Sequence, residues 1–545
     1  MESHNAEQGH RSVARNASVV SLAVMGSRVL GLVRDQVFAI FFGAGLQYDA
    51  FLAAFRIPNL LRDLFAEGAL SAAFVTTFTQ VLATKGHEEA IRLSNRVATL
   101  IILVITAISA IGWWYAPTIV QILAPGFYDV PGKAELTIML TRILIPFLLF
   151  VALAAQAMGI LNALGRFGIP AFASAFFNIG SIVGGLLLGF VLGPAIGLSA
   201  IEGMAYGTLL GGFLQFAVQW PSLARVGFRY RPMVSVSDPG VRQIFRLMGP
   251  AILGTAAVQV NVLVNTNFAS AIIDPATGAI ANGPVSWLSY AFRFMQFPIG
   301  VFGVAIATAA LPPLSRSSGQ ADLIEFRRTL VHSLTLVFLL CVPSAIGLAV
   351  LGRPIVSLIF EHGRFTAFDT VQTGDALAAY AIGLAGYAAV KVLSPAFYAL
   401  DDARTPMLIS LGSIVVNYVL NSLLVGPFGH IGLAFSTSAV ALINCLLLVA
   451  FMRRRIGGLE GSGLVSTLVR ICVASIPMAV VAWLVNTFCA TLPLAGILLK
   501  LVRVSASITL AAMVFYAACR LLHIDELDEA VNAVGGRFLR RFRQK

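Results

Sequence analysis

Four arginines lie in stretches that are otherwise apolar enough to cross a membrane, and their residue type suits them to bind an anion. Arg28 and Arg34 belong to one stretch, Arg62 to the next and Arg293 to a later one. A charge at mid-membrane costs on the order of 2.5–3.5 kcal/mol on insertion scales, so such groups normally face a cavity or a partner. Arginine stays charged, and its forked guanidinium donates two bonds at once to phosphate oxygens. We therefore predict a cationic site for an anionic substrate.

The stretch around Arg62 carries further charges, which have a different spacing. In a regular helix Asp49, Arg56, Asp63 and Glu67 would share one face, while Arg62 would point elsewhere. We predict that these four residues form positioning and gating pairs and that Arg62 contacts the anion. In the alternative interpretation, the two later acids simply pair with nearby arginines.

Enzyme chemistry finds little support in the sequence. The seven histidines lie mostly in loops and tails without ligand spacing, and the five cysteines are scattered singly. The sequence shows no Walker loop, HExxH or GxSxG motif in a credible context. We predict no catalytic residue, no metal and no cofactor. Transport would then need another drive: a coupling ion such as sodium or chloride, the membrane potential, or consumption of the substrate.

The elements that position these charges are predicted to be transmembrane helices. The chain has 545 residues, of which 58% are hydrophobic and 11% charged, whereas soluble domains have about 25% charged residues. Apolar runs of about 20 residues predict an all-α polytopic membrane protein with about 14 spans. Basic residues collect on one side, and the opposite loops hold only Lys133, Arg353 and Arg364. This asymmetry predicts cytoplasmic termini, and it attributes the net charge of +12 to topology and membrane-lipid contact rather than to nucleic acid.

An internal repeat organises the spans. "NALGRFGIP" and "YALDDARTP" lie 236 residues apart, and the two "AFR" triplets lie 237 residues apart. An even number of spans between the copies gives both the same orientation. We predict two six-helix lobes in parallel repeat, at 1–235 and 236–456, whose second helices face each other across a central cleft. A helix pair at 457–525 and a basic cytoplasmic tail at 526–545 would follow.

Several motifs resemble one known family. "SRVLGLVRD" (27–35), the block "FGAGLQYDAFLAAFRIPNLLRDLFAEGALSAAFV" (42–75), "FPIGVFGVAIATAALPPLS" (297–315) and "KVLSPAFYALDDARTP" (391–406) are similar to the MurJ/MviN family of bacterial lipid II flippases. The block at 42–75 is highly specific. The resemblance implies membership of the multidrug/oligosaccharidyl-lipid/polysaccharide exporter superfamily, with two lobes around a cationic cavity and a final helix pair that forms a groove for a polyprenyl tail.

The resemblance also implies a function and roles for individual residues. The family moves lipid II, the undecaprenyl-pyrophosphate-linked peptidoglycan precursor, to the outer leaflet of the bacterial inner membrane by alternating access, for cell-wall synthesis. Family positions important for function match Arg28, Arg34, Asp49, Arg62 and Arg293. The arginines would hold the headgroup, and Asp49 would help to shape the periplasmic gate. We expect a monomer with lipid II as substrate and the cell-wall synthesis machinery as partner.

The sequence departs from the family at one point and leaves two other functions open. Phe292 and Gln296 stand where related sequences often carry acids, which puts in doubt any mechanism that uses those acids. Another superfamily transporter, such as a drug/cation antiporter or a flippase for a different polyprenyl-linked oligosaccharide, is the main alternative. A membrane enzyme acting on polyprenyl-linked sugars is the third hypothesis. It would draw on the adjacent acids Asp401 and Asp402, which we interpret as a turn between helices.

Overall fold

A computed structural model describes residues 23–63, 70–320, 322–458, 463–524 and 526–527, and helices dominate all but the shortest of these ranges. The first helices are α1 (23–42), α2 (Leu46–Leu61), α3 (Leu70–Trp114), α4 (Ala116–Leu123), α5 (Lys133–Leu144), α6 (Phe147–Ala163), α7 (Gly168–Leu186), α8 (Ala200–Ala217) and α9 (Trp220–Arg225). The later helices are α10 (Pro239–Ser270), α11 (Pro284–Pro298), α12 (Val304–Gly319), α13 (Leu323–Phe360), α14 (Ala367–Ala381), α15 (Leu384–Ala399), α16 (Arg404–Arg455), α17 (Leu464–Ala490) and α18 (Gly496–Leu521). The predicted all-α membrane class is confirmed.

The predicted number of spans is not confirmed. Within the described residues, eight helical segments are long and apolar enough to cross a membrane, or nine if the bent pair α14 and α15 counts as one span. Some segments combine predicted spans. By length and hydropathy, the 52 residues of α16 count as one candidate span. A straight helix of that length would measure about 78 Å, whereas the hydrocarbon core of a membrane is about 30 Å thick.

Two glycines break the longest helices near predicted span boundaries. Gly429 interrupts α16 with φ 54° and ψ −134°, and Gly86 interrupts α3 with φ 84° and ψ 178°. Glycine tolerates positive φ because it has no Cβ. The predicted spans 406–426 and 430–452 lie on either side of the first break. These glycines therefore allow a change of chain direction inside what is otherwise continuous helix.

Contacts divide the chain into two compact units, residues 1–285 and 286–545. The long helix α10 thus lies with the first unit. The lobe boundaries at 235 and 456, which follow from the repeat, stay a prediction, as does the helix pair at 457–525. The basic tail at 526–545 lies almost wholly outside the described residues.

Glycines allow close helix packing in the first unit. α7 and α8 lie against each other, and a Cβ on Gly207 would overlap the backbone of Gly184 and Gly185. Small residues at a helix interface let backbones approach closely in a membrane, where lipid supplies no hydrophobic drive for association. In the second unit, α17 and α18 pack together and onto α13 around Leu339, Ile471 and Phe515.

Proline occurs in two of the helices that carry functional candidates, α2 and α11. Pro58 lies inside α2, and π-helical geometry follows at residues 62–63. Pro298 ends α11, and a π-helical turn follows at Ile299–Gly303. A proline removes one helical hydrogen bond, and π turns commonly mark functional sites. The uniform helical phase predicted from Asp49 therefore does not extend to Asp63, because α2 ends at Leu61, and Glu67 lies outside the described residues.

Candidate functional site

The first helix presents two of the predicted arginines. The Arg28 side chain is exposed. Arg34 is largely buried, and its Nη2 lies 3.1 Å from Asp35 Oδ1. Its guanidinium carbon lies 5.4 Å from the centroid of the Phe177 ring on α7, within the range of a cation–π contact. Asp35 and Phe177 together hold Arg34 in one orientation.

Arg62 has a comparable arrangement where α2 ends. Its Nη2 lies 3.0 Å from Asp63 Oδ1, and Nε donates to the same oxygen at 3.3 Å. Asp63 Oδ2 accepts a hydrogen bond from Gln259 Nε2 of α10 at 3.1 Å. The carboxylate therefore links the arginine to a second helix. Arg34 and Arg62 thus each contact the acid that is the next residue in sequence.

A buried ion pair lies near the opposite end of α2. Lys133 Nζ lies 2.9 Å from Asp49 Oδ2, and the side chains are 0% and 1% exposed. The same ammonium donates to Asn282 Oδ1 at 2.9 Å and lies 4.1 Å from the centroid of the Phe127 ring. Asp49 Oδ2 also accepts from the backbone N–H of Gly283 at 2.8 Å. A buried charge is stable only when it is paired and hydrogen-bonded in this way.

Lys133 is a site residue that the sequence does not reveal. Its place in the charge pattern indicates a basic loop residue that reports topology, whereas Lys133 is the first residue of α5 and is fully buried. Its partner Asp49 is 84 residues away in sequence, so no local pattern joins them. The sequence offers one signal: Lys133 is one of three basic residues predicted in the loops on the side opposite the cytoplasm.

Two other predicted residues lie on α2 and α11, and a third falls outside the described residues. Arg56 is half-buried on α2, and Glu67 lies outside the described residues. In the second unit, Arg293 is half-buried on α11, and its Nη1 reaches Gln296 Oε1 at 3.5 Å, which is long for a hydrogen bond. Gln296 is one of the two residues that depart from the family pattern. Here it contacts Arg293 as a neutral amide, where an acid would form an ion pair.

Two groups of acids outside this site have structural explanations. Asp375 accepts a two-bond contact from Arg353 Nε and Nη2 at 2.8 and 2.9 Å. Asp402 accepts from the Thr405 backbone N–H at 3.0 Å and from its hydroxyl at 2.8 Å. Asp401 adopts φ 56° beside it. The interpretation of this acid pair as a turn between helices is confirmed.

The described residues contain no group of three His, Cys, Asp or Glu side chains that could hold a metal ion. What they contain instead are cations oriented by carboxylates. Arg34 and Arg62 each use Nε and Nη2 for the neighbouring aspartate, and a guanidinium carries five N–H donors. Guanidinium groups can donate to an anion with several oxygens, such as a phosphate ester.

Comparison with known proteins identifies the chain's relatives. The family described as "Lipid II flippase MurJ" matches residues 38–503. The lipid II flippase MurJ of Burkholderia cenocepacia is 35% identical over 433 residues, which cover 79% of this chain and 81% of that protein. The solved structure "Lipid II flippase MurJ, inward closed conformation" aligns with a TM-score of 0.76 at 26% identity and covers 93% of this chain and 99% of that one.

A more distant likeness concerns the fold alone. The inward-facing structure of a multidrug resistance transporter of the MATE family, within the MOP superfamily, aligns with a TM-score of 0.62 at 16% identity, covering 81% of this chain. The two proteins share a fold.

Proposed function

The chain belongs to the lipid II flippase MurJ family, and we propose that it moves lipid II from the inner to the outer leaflet of the bacterial cytoplasmic membrane by alternating access. It is a transporter rather than an enzyme, and its product serves peptidoglycan synthesis. The observation that carries this conclusion is the family match across residues 38–503, which includes α2 and α11 with their functional candidates.

The pyrophosphate of lipid II is the group that we assign to the arginines. Arg28, Arg34 and Arg62 would contact it in the first unit, and Arg293 is assigned from the sequence as the contribution of the second unit. The contacts of Arg34 and Arg62 with Asp35 and Asp63 support this role, because a preoriented guanidinium loses less entropy on binding. Arg56, Asp63 and Glu67 are proposed as positioning residues.

Asp49 and Lys133 are proposed as the gating pair of the first unit. They hold the backbone of Gly283, which immediately precedes α11, through the Asp49 carboxylate. Removing one member of a buried pair costs about 3–5 kcal/mol. The pair would hold the Gly283 backbone beside α2 and α5 in one transport state, and its release would belong to the transition.

The membrane potential is the proposed driving force. With the cell interior negative, outward movement of an anion is favoured by about 2.3 kcal/mol per charge for each 100 mV. A sodium or chloride gradient is the alternative drive. We further propose cytoplasmic termini, from the asymmetry of basic residues, and a monomer that works beside the cell-wall synthesis machinery.

Substitution of the arginines tests the headgroup assignment. In cells depleted of the native protein, Arg62→Ala and Arg293→Ala should each lower the amount of lipid II labelled at the outer leaflet by about tenfold or more, because a hydrogen bond to a charged group contributes about 1.5–3 kcal/mol. Arg62→Lys should restore little, because lysine cannot form a two-bond contact with phosphate.

Arg142→Ala is the matched control. Arg142 lies on α5, where its guanidinium stacks 4.8 Å from the Trp113 ring centroid and has no assigned role in transport. This variant should transport normally at equal membrane abundance. Stable Arg62→Ala and Arg293→Ala proteins with normal lipid II exposure would remove the headgroup assignment, while the family membership would stand.

A further inference from the structure

An apolar pocket opens in the first unit between α3, α6, α8 and α9 and the segment after α9. Its volume is about 170 Å³, and aromatic rings from Phe216, Trp220, Phe228 and Tyr230 line it. The amide of its one other polar residue, Gln156, donates to the Ser94 carbonyl at 2.8 Å. The Tyr230 hydroxyl lies 3.3 Å from Thr99 Oγ1. Because these polar groups already have partners, the pocket offers a hydrocarbon surface to a ligand.

The segment that closes the pocket is residues 226–238, here called the strap, and its central part has no helical structure. The strap is fixed along α3 by two side chains. Asn95 Oδ1 accepts from the Arg231 backbone N–H, and Thr99 Oγ1 accepts from the Met233 N–H, both at 3.0 Å. At its end, Asp238 lies 2.7 Å from Arg96. The strap is thus a defined part of the fold.

Successive side chains of the strap alternate between the pocket and the protein surface. Phe228 is buried and Tyr230 half-buried, whereas Arg229 and Arg231 are exposed, as is Arg225 in the last turn of α9. Residues 203–237 contain no Asp or Glu. The three arginines therefore form a positive surface directly beside an apolar pocket.

Exposed apolar side chains accompany these arginines. Trp220 at the pocket is 49% exposed, and Val234 and Val236 of the strap are 68% and 61% exposed. Tryptophan concentrates at the level of lipid headgroups, and basic residues attract anionic lipids there. This combination places the strap at the boundary between headgroups and hydrocarbon.

We propose that the pocket and the strap form a binding site for an anionic glycerophospholipid. One acyl chain would enter the aromatic pocket, and the phosphate headgroup would lie against Arg225, Arg229 and Arg231. The lipid would act as a structural ligand that holds the strap, and with it the start of α10, on α3. This site is separate from the arginines assigned to lipid II and does not depend on that assignment.

Lipid binding to the purified full chain tests the proposal. Native mass spectrometry in detergent would measure the affinity for dioleoyl phosphatidylglycerol. Dioleoyl phosphatidylcholine supplies the same chains with a zwitterionic headgroup, and dihexanoyl phosphatidylglycerol the same headgroup with short chains. We expect the anionic long-chain lipid to bind at least about tenfold more tightly than either. Equal affinity for both headgroups, equal affinity for both chain lengths, or displacement by inorganic phosphate would overturn the proposal.

Two triple variants locate the site. Arg225→Gln with Arg229→Gln and Arg231→Gln should weaken binding of dioleoyl phosphatidylglycerol by about tenfold or more. The matched control replaces Arg453, Arg454 and Arg455 at the end of α16, which are also exposed, and should leave the affinity unchanged. If both triple variants lost affinity for dioleoyl phosphatidylglycerol equally, the lipid would be attracted by the overall positive charge, and a defined site would be contradicted. The headgroup and chain comparisons on the unaltered protein decide the question even if the first triple variant does not fold.

Discussion

Asp49 and Lys133 form an ion pair whose energetics follow from its burial. With side chains 1% and 0% exposed, both charges have lost their hydration. They are compensated by each other, by Asn282 and by the Gly283 N–H. Removing one partner would leave a buried charge without its counter-ion, whereas replacing both with apolar groups removes the desolvation cost as well.

Each single substitution of this pair should destabilise the protein more than the double substitution does. Asp49→Asn or Lys133→Met alone should lower the free energy of unfolding by about 3–5 kcal/mol, and Asp49→Leu with Lys133→Met should restore much of that loss. Thermal unfolding in detergent measures stability. Lipid II exposure should stay low in the double variant, because gating needs the charges.

The surface pair Arg92 and Glu88, which are 51% and 84% exposed, is the control. Glu88→Gln should change stability by no more than about 1 kcal/mol. If Lys133→Met lowered the free energy of unfolding as little as Glu88→Gln, the Asp49–Lys133 pair would not stabilise the fold.

Glu361 gives a pH-dependent prediction at the residue scale. Burial raises its pKa, but hydrogen bonds from Thr370, Ser357 and Lys500 outweigh burial and hold the pKa below its ordinary value. Because the folded-state pKa is the lower one, the stabilisation is present above the ordinary pKa of glutamate and is lost as pH falls through the folded value. Glu361 follows α13, and Lys500 belongs to α18, so acid should loosen the docking of α18.

Thr370→Val should shift this acid-induced loss to higher pH, because it removes the hydroxyl that donates to Glu361 Oε2 at 2.6 Å. Thermal unfolding between about pH 7 and pH 3, which spans the titration of glutamate, measures the shift. Glu361→Gln should remove the difference between the two proteins. Superimposable pH curves for Thr370→Val and the unaltered chain would contradict the prediction.

At the scale of elements, the α7–α8 interface depends on glycine. Gly207→Ala would place a Cβ against the backbone of Gly184 and Gly185, and overpacking of this kind costs about 1–3 kcal/mol. Gly412 on α16 has no atom within 4 Å of the corresponding Cβ position. Gly412→Ala should therefore be neutral or stabilise the helix by up to about 1 kcal/mol. Equal unfolding temperatures for the two variants would show that close packing at Gly207 is unimportant.

Sequence patterns predict helices better than they predict contacts between helices. Apolar runs predicted the helical membrane class, and the glycines near predicted span boundaries lie where α3 and α16 break. The count of about 14 spans rests on hydropathy and charge. It is not confirmed, because α3 and α16 each count as one candidate span by length and hydropathy, although Gly86 and Gly429 break them. Arg353–Asp375 and Asp49–Lys133 were not predicted, because each joins different helices and residue spacing within one helix carries no information about them.

At the scale of the whole molecule, the family could be identified from the sequence, whereas the environment of its site could not. The block at 42–75 was specific enough to indicate the family, and the match over residues 38–503 confirms it. The surroundings of the arginines come from tertiary structure. Asp63 accepts from Gln259 on α10, and Arg34 stacks on Phe177 of α7. Both partners lie more than a hundred residues away in sequence, beyond the reach of pattern analysis.

The central proposal for the whole molecule is that lipid II is the substrate it transports. The most direct measurement depletes this protein in living cells and quantifies lipid II labelled at the outer leaflet, in a strain without another lipid II flippase. We expect outer-leaflet lipid II to fall as the protein is lost, while lipid II accumulates in the inner leaflet, and re-expression of the unaltered chain should restore it. Undiminished exposure of lipid II after complete depletion would contradict the proposed function.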